Sequence, residues 1–403
     1  MKNYFVLLFA IVLFTACEKD DVVTVPKADK VIMAYFVADN SLENDLLDNI
    51  VDMYQGLEQM KDSASLLIYW DGSSKGPLSH PCILYYMSDG KGRVNRSSGL
   101  TTSTDILGVA EVLKEYPSQL STDKAVMAKV LQDMVALCPS KQYGLIAGSH
   151  GSGWLKYING KNSRSFGQDG GSYSESTISM QDMAEAIQST GVKYDFFLFD
   201  ACMMGCAEVY YDFRNVAKYM IASVINVPAP GFPYEQMLPY LYGNGEADYR
   251  KACEVFIDRY KSETDTRIKF GTMSLVDCSE MQKLAELMKQ QIATHKEELA
   301  TYSPLSLQYY GERGSSFTYY SFDVKQFIEQ LNGGEAPADF VAQLNKTVLY
   351  TDFVKDNFFN IDGDHYCGMG MYIPVTSKNY WNEYFKTLPW FAAAGWNETI
   401  WAN

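Results

Sequence analysis

Apolar runs and amphipathic stretches alternate along most of the chain. Val31–Val37, Leu66–Trp70, Ile83–Met87, Leu145–Ala147, Phe196–Phe199, Tyr219–Val224 and Phe270–Val276 read as strands. Unbroken apolar runs, such as the four residues Phe196 to Phe199, mark strands buried on both faces, as inside a parallel sheet. Helical patterns lie between them. Ser41 is placed to cap a stretch reaching Met60, with Glu43 and Asp45 in its first turn. Thr104–Tyr116, Thr122–Cys138 and Ile178–Thr190 follow, and a further helix is expected after Gly205. Beyond about Ala247 the pattern is more helical: Ala247–Lys261, Ser279–Glu298, Val324–Leu331 and Ala336–Asn345. This alternation predicts an α/β fold, a mostly parallel sheet with helices on both faces over residues 30–262. Residues 263–403 are expected to form an α-rich part packed on that sheet, its closing aromatic run docking the tail.

Two strand ends carry the candidate chemistry. Phe196–Phe199 stops at Asp200-Ala201-Cys202, and Leu145–Ala147 stops at Gly148-Ser149-His150-Gly151. Ligands and catalysis in open α/β sheets gather at the carboxyl ends of strands. If the two strands are neighbours, His150 and Cys202 face each other, and a thiol beside an imidazole is an activated nucleophile. Amides at a following helix N-terminus favour the thiolate, and the glycines beside His150 admit a substrate backbone. Taken alone, Cys202 reads equally as a small core residue at a strand end, and His150 as a histidine in a capped turn. Their pairing favours catalysis.

The insert Trp154–Thr177 is rich in Gly, Ser and Asn and carries Lys156, Lys161 and Arg164. Such a composition reads as a mobile surface loop, where proteolysis concentrates.

At the N-terminus, Lys2 precedes the apolar run Phe5–Phe14, too short to span a bilayer as a helix, and then Thr15-Ala16-Cys17. This resembles a bacterial lipoprotein signal: residues 1–16 removed, Cys17 lipidated as the membrane anchor, and residues 17–29 forming a polar tether. The competing reading is a plain signal peptide with an incidental cysteine. The acidic run Glu18-Lys19-Asp20-Asp21 resembles a surface-export tag of outer-membrane lipoproteins and reads equally as a solvated linker, which would leave the chain periplasmic.

Charge and cysteine usage narrow the partners. A formal charge of −15 and a pI near 4.8 argue against a nucleic-acid partner and suit basic substrates. Of the eight cysteines, Cys82, Cys138, Cys253, Cys278 and Cys367 are scattered in apolar surroundings, which favours buried free thiols over a disulfide framework. Cys202 and Cys206 have neither redox nor zinc spacing. His365 follows Asp362-Gly363-Asp364, which reads as a turn rather than a metal site. Nothing in the sequence calls for a cofactor, and calcium dependence is not legible in it.

The motifs H-G-S-G-W at His150–Trp154 and F-D-A-C-M-M-G at Phe199–Gly205 resemble those of the clostripain-like cysteine peptidases, in the fold group of caspases, gingipains and legumain. Val31–Glu43, Val227–Tyr234 and Gly368–Pro374 resemble that family's opening strand and helix, post-catalytic loop and late strand. The resemblance implies a caspase-like sheet and a His150/Cys202 dyad acting on peptide or protein substrates, with oxyanion donors at the amides of Gly151 and Cys202. It places Asp200 in the pocket for the residue before the scissile bond, favouring Arg or Lys, where capping is the structural alternative. Relatives often follow Ala-Ser with an acidic or amide residue, whereas Val224 follows Ala222-Ser223 here, a departure that bears on basic selectivity. Relatives are also processed between these motifs, which implies self-cleavage at Arg164 first and Lys161 second. The alternatives from other classes are a catalytically silent surface binding lipoprotein of the same fold and an enzyme acting on a non-peptide acyl bond.

Overall fold

The computed structural model describes residues 28–155, 165–170, 177–311, 321–356, 358–359 and 361–402. In chain order the first half contains β1 (Lys30–Val37), α1 (Glu43–Glu58), β2 (Ser63–Asp71), β3 (Cys82–Asp89), α2 (Ser103–Val109), β4 (Glu111–Glu115), α3 (Lys124–Leu137), β5 (Gln142–Gly148), α4 (Met180–Gln188), β6 (Tyr194–Asp200) and α5 (Ala207–Asp212). The second half contains β7 (Ala217–Ala222), α6 (Tyr234–Leu241), α7 (Glu246–Lys261), β8 (Gly271–Asp277), α8 (Met281–Thr294), α9 (Lys296–Leu299), β9 (Phe322–Asp323), α10 (Val324–Leu331), α11 (Ala338–Thr347), β10 (Val348–Val354), β11 (Gly370–Met371), α12 (Asn379–Phe385) and α13 (Pro389–Ala393).

Nine strands form one sheet in the order β10-β8-β7-β6-β5-β1-β2-β3-β4. The five central strands, β7 through β2, run parallel, and antiparallel pairs close both sides. Every residue of β1 is buried, and the alternation of a strand explains why its sequence is almost wholly apolar. Val31, Met33, Tyr35 and Val37 join the core under α3, α4, α5 and α8, whereas Ile32, Ala34 and Phe36 join the core under α1, α6 and α7. In β6 the same alternation sends Phe197 and Phe199 to the first core and Phe196 and Leu198 to the second. Asp200, two residues beyond Leu198, therefore faces the α1 side.

Several sequence expectations are corrected. The helix expected over Thr104–Tyr116 ends at Val109: Ala110 is extended (φ −64°, ψ 141°), and Val112 and Lys114 pair with Leu84 and Ile83 of β3 as an edge strand. Residues 263–403 do more than pack on the sheet, because β8 and β10 are two of its strands. Ser41 does not cap α1. The N-cap is Leu42, without a side-chain cap, and Asn40 Oδ1 accepts the Leu42 N–H at 2.9 Å instead. The late strand expected at Gly368–Pro374 shrinks to Gly370–Met371, paired with β9. The closing aromatics are buried: Phe385, Trp390 and Trp396 lie in the first core, and Trp154 stacks against Tyr384 at 6.0 Å between ring centroids. The seven described cysteines are free thiols.

Candidate active site

Strands β5 and β6 are adjacent and parallel, with Gly148 opposite Asp200, so the two loops that follow emerge side by side. The Ser149 N–H donates to the Asp200 carbonyl at 3.3 Å and extends the pairing into the loops. His150 and Cys202 then line one cleft of about 350 Å³. Its other walls come from α1 (Leu42, Asp45, Leu46, Asn49) and from the segment after β7, including Asn226, Val227 and Gly231.

A tight turn rather than a helix presents Cys202. α5 begins only at Ala207, with Cys206 as its N-cap, so the expected helix N-terminus does not lie at the Cys202 thiol. Met203 has φ 60°, a left-handed conformation costly for a side chain with a Cβ. Strain of this kind persists only where surrounding structure enforces it. Here the Met203 N–H donates to Ile225 O at 2.9 Å and the Gly205 N–H to Ser223 O at 2.8 Å, tying the turn to the end of β7. The Val227 N–H points at Cys202 Sγ from 3.4 Å. Burial drives the Cys206 thiol far above its usual range, which sets it apart as a core residue.

His150 is held from the α1 side. Its Nε2 lies 2.9 Å from Ser41 Oγ, a contact between the loops that follow β5 and β1. Asn40 fixes that loop, its Nδ2 donating to Val37 O and to Gln168 O, each at 2.8 Å. Gly151 also has a packing role that the sequence did not show. A Cβ there would lie 2.8 Å from Cys202 O and 2.9 Å from Ala201 Cβ, so its missing side chain admits the Cys202 turn itself. Gly151 bridges Phe166 through bonds from the Ser152 and Gly167 amides, which leaves its own N–H out of that pairing.

Asp200 is 7% exposed and lines the cleft. Its Oδ2 accepts from Asn49 Nδ2 at 2.8 Å and from Tyr234 Oη at 3.0 Å. Burial pushes its carboxyl up to about 7, the Tyr234 hydrogen bond opposing and the Asp45 charge reinforcing the shift. It caps no helix. Val224 does not reach the cleft; it packs with Ile225, Tyr310, Phe359 and Ile361. Cys17, Lys156, Lys161 and Arg164 lie outside the described residues. Part of the insert is packed rather than loose, since Ser165, Phe166 and Gln168 are buried. Ser41, Asp45, Asn49 and Tyr234 were not singled out as site residues by the sequence. For α1 a signal existed: Leu42, Asp45, Leu46 and Asn49 recur at the spacing of one helix face, mixing polar with apolar residues.

The arrangement places a thiol, an imidazole and a carboxylate in one cleft, and the sequence of the whole chain points to the family that such a set suits. The sequence model of the clostripain family, Peptidase_C11, matches residues 34–401. The chain belongs to the clostripain family. It is thus a cysteine peptidase by family, a hydrolase. Clostripain of Hathewaya histolytica is 22% identical over 434 residues, spanning 92% of this chain and 79% of that protein. Among solved structures, a secreted C11 cysteine protease from Bacteroides thetaiotaomicron in complex with an irreversible peptide inhibitor superposes with a TM-score of 0.72. It is 22% identical, over 92% of this chain and 100% of that one. An inactive zymogen C11 protease from Parabacteroides distasonis gives 0.71 at 23% identity, over 92% and 99%. These likenesses bear out the caspase-like α/β fold.

Proposed function

We propose that this clostripain-family peptidase hydrolyses peptide bonds after Arg or Lys through a Cys202/His150 dyad. The observation that carries the reading is the shared cleft, in which both side chains leave adjacent parallel strands beside a buried carboxylate. The Cys202 sulfur attacks the peptide carbonyl carbon, and His150 protonates the departing amine as the C–N bond breaks. Water then adds to the thioester, His150 takes its proton, and the thiol returns. The amides of Gly151 and Cys202 are the proposed donors to the oxyanion. Ser41 orients the imidazole. Asp200 supports basic selectivity because a desolvated carboxylate pairs well with a guanidinium or ammonium.

Two further elements rest on sequence and relatives. Self-processing is proposed in residues 156–176, at Arg164 or Lys161. Ser165, directly after Arg164, is buried, so a cut there requires this piece to leave its packing. Export with lipidation at Cys17 and residence at the outer membrane is the proposed location, in keeping with the secreted relative from B. thetaiotaomicron.

A peptide-library cleavage profile, run with wild type and Cys202→Ala and followed by N-terminal sequencing of the enzyme, tests the reading. Cleavage after Arg and Lys by wild type alone is expected. A profile dominated by acidic or large apolar residues before the cut would remove Asp200 from its role, and undiminished cleavage by Cys202→Ala would remove the dyad.

A further inference from the structure

One face of α1 turns toward the cleft, and it is not apolar. Asp45 and Asn49 stand one turn apart on it, beside Leu42 and Leu46. As the third residue of α1, Asp45 suits the positive end of the helix, but any direction would serve that purpose. It points instead into the cleft that holds Asp200, and no cation among the described residues pairs with it. Around this pair the donors are already committed: both the Asn49 amide N–H and the Tyr234 hydroxyl go to Asp200 Oδ2. Asn49 is 2% exposed, and its Oδ1 has no partner among the described residues. Gly231 lies over that oxygen with φ 72°, where a Cβ would approach Oδ1 to 2.8 Å. The cleft therefore ends in two carboxylates and an orphaned amide oxygen, with no positive charge of its own among the described residues.

A buried acceptor without a donor and two like charges in one cleft are each unfavourable in the empty protein. A cationic ligand between the two carboxylates would relieve the second of these costs. We propose that Asp45 is a second specificity determinant, which together with Asp200 binds the cationic side chain of the residue before the scissile bond. Arginine fits best, since its planar guanidinium offers N–H groups on separate edges to two carboxylates, whereas an ammonium is a point charge. Asn49 is a positioning residue that fixes Asp200. The proposal rests on the reading of Asp200 as the base-selective group. The other titratable groups facing the pair are Asp48 on α1, His150 and Cys202 at the strand ends, and Tyr234 and Tyr260 on α6 and α7.

The test uses the full chain and three fluorogenic peptides identical except for Arg, Lys or citrulline before the cut. Citrulline keeps the shape of arginine without its charge. In Asp45→Asn the ratio of kcat/KM for Arg over citrulline should fall about ten-fold or more from about pH 6 to about pH 8.5, with the larger change in the Arg value. If Asp45 were only a repulsive neighbour, its loss would let Asp200 ionise more readily and raise that ratio below about pH 7. A raised or unchanged ratio overturns the proposal. Asp45 is partly exposed and asparagine matches its shape, so an unshifted melting curve should accompany the effect. Asp200→Asn separates the two levels. If wild type shows no preference for Arg over citrulline, or Asp200→Asn retains it in full, the underlying reading fails and this one with it. If Asp200→Asn loses the preference and Asp45→Asn keeps it, only the role of Asp45 is wrong.

Discussion

Single side chains in the cleft have roles that depend on one or two contacts each. Ser41 touches His150 Nε2 at 2.9 Å and nothing else in the site needs that hydroxyl. Removing one hydrogen bond of this kind costs about 1 kcal/mol, so Ser41→Ala should lower kcat about five- to ten-fold with KM little changed. Steady-state kinetics on an Arg peptide check this, and an unaltered kcat would deprive Ser41 of its positioning role. Asp200, held up to about 7 by burial, gains its charge as pH rises through neutrality. The kcat/KM for basic substrates should rise over the same interval, and the Asp200→Asn profile should lack that limb. A limb of equal size in both proteins would assign it to another group.

At the scale of elements, the site is a consequence of strand register. β5 and β6 pair Gly148 with Asp200, and alternation along β6 turns Asp200 toward α1. This much was legible in the sequence, because apolar runs ending in His-Gly and Asp-Ala-Cys mark both strands and their ends. The α1 wall was not. Asp45 read as a first-turn acid and Ser41 as a cap, since both suit the start of a helix; only the tertiary packing of α1 over the strand ends distinguishes these uses. The Cys202 turn was likewise hidden, because its left-handed residue is Met203, a type that gives no local signal for positive φ. The strand β10 was missed because its run, Val348 to Val354, follows α11 without a turn residue between them. The close abutment of the two loops also makes a prediction. Gly151→Ala would drive a methyl against Cys202 O and Ala201 Cβ, both under 3.0 Å away in the present geometry. A displacement of this size at a reacting group costs roughly 100-fold in kcat. Rates should fall accordingly while the melting temperature moves little; a fully active Gly151→Ala enzyme would show that the turn yields freely.

Across the whole molecule, the C-terminal tail returns to the first core and stacks on Trp154, just beyond the His150 loop. Buried carboxylates set the response of this body to pH. Burial pushes Asp71, Asp200, Glu208 and Asp212 each up to about 7, against ordinary values of 3.8 and 4.5. Between those values and about 7 the folded chain binds more protons than the unfolded one, so stability falls as pH rises through that window. The exposed Glu263 and Asp265, lowered to about 2, act only at more acidic pH and do not oppose the trend. Calorimetry should therefore give a higher melting temperature near pH 5 than near pH 8. A melting temperature that climbs over this range would mean that these groups are charged and satisfied in the folded state.

Cys202, among the seven described thiols, is the proposed nucleophile. Intact-mass and peptide-mapping spectrometry after reaction with an irreversible peptidyl inhibitor ending in Arg tests it most directly. One adduct per chain is expected, on the peptide carrying Cys202, formed at a rate that Asp200→Asn and His150→Ala each reduce and absent from Cys202→Ala. Stoichiometric labelling of Cys202→Ala, or an adduct on another residue that tracks the loss of activity, would contradict it.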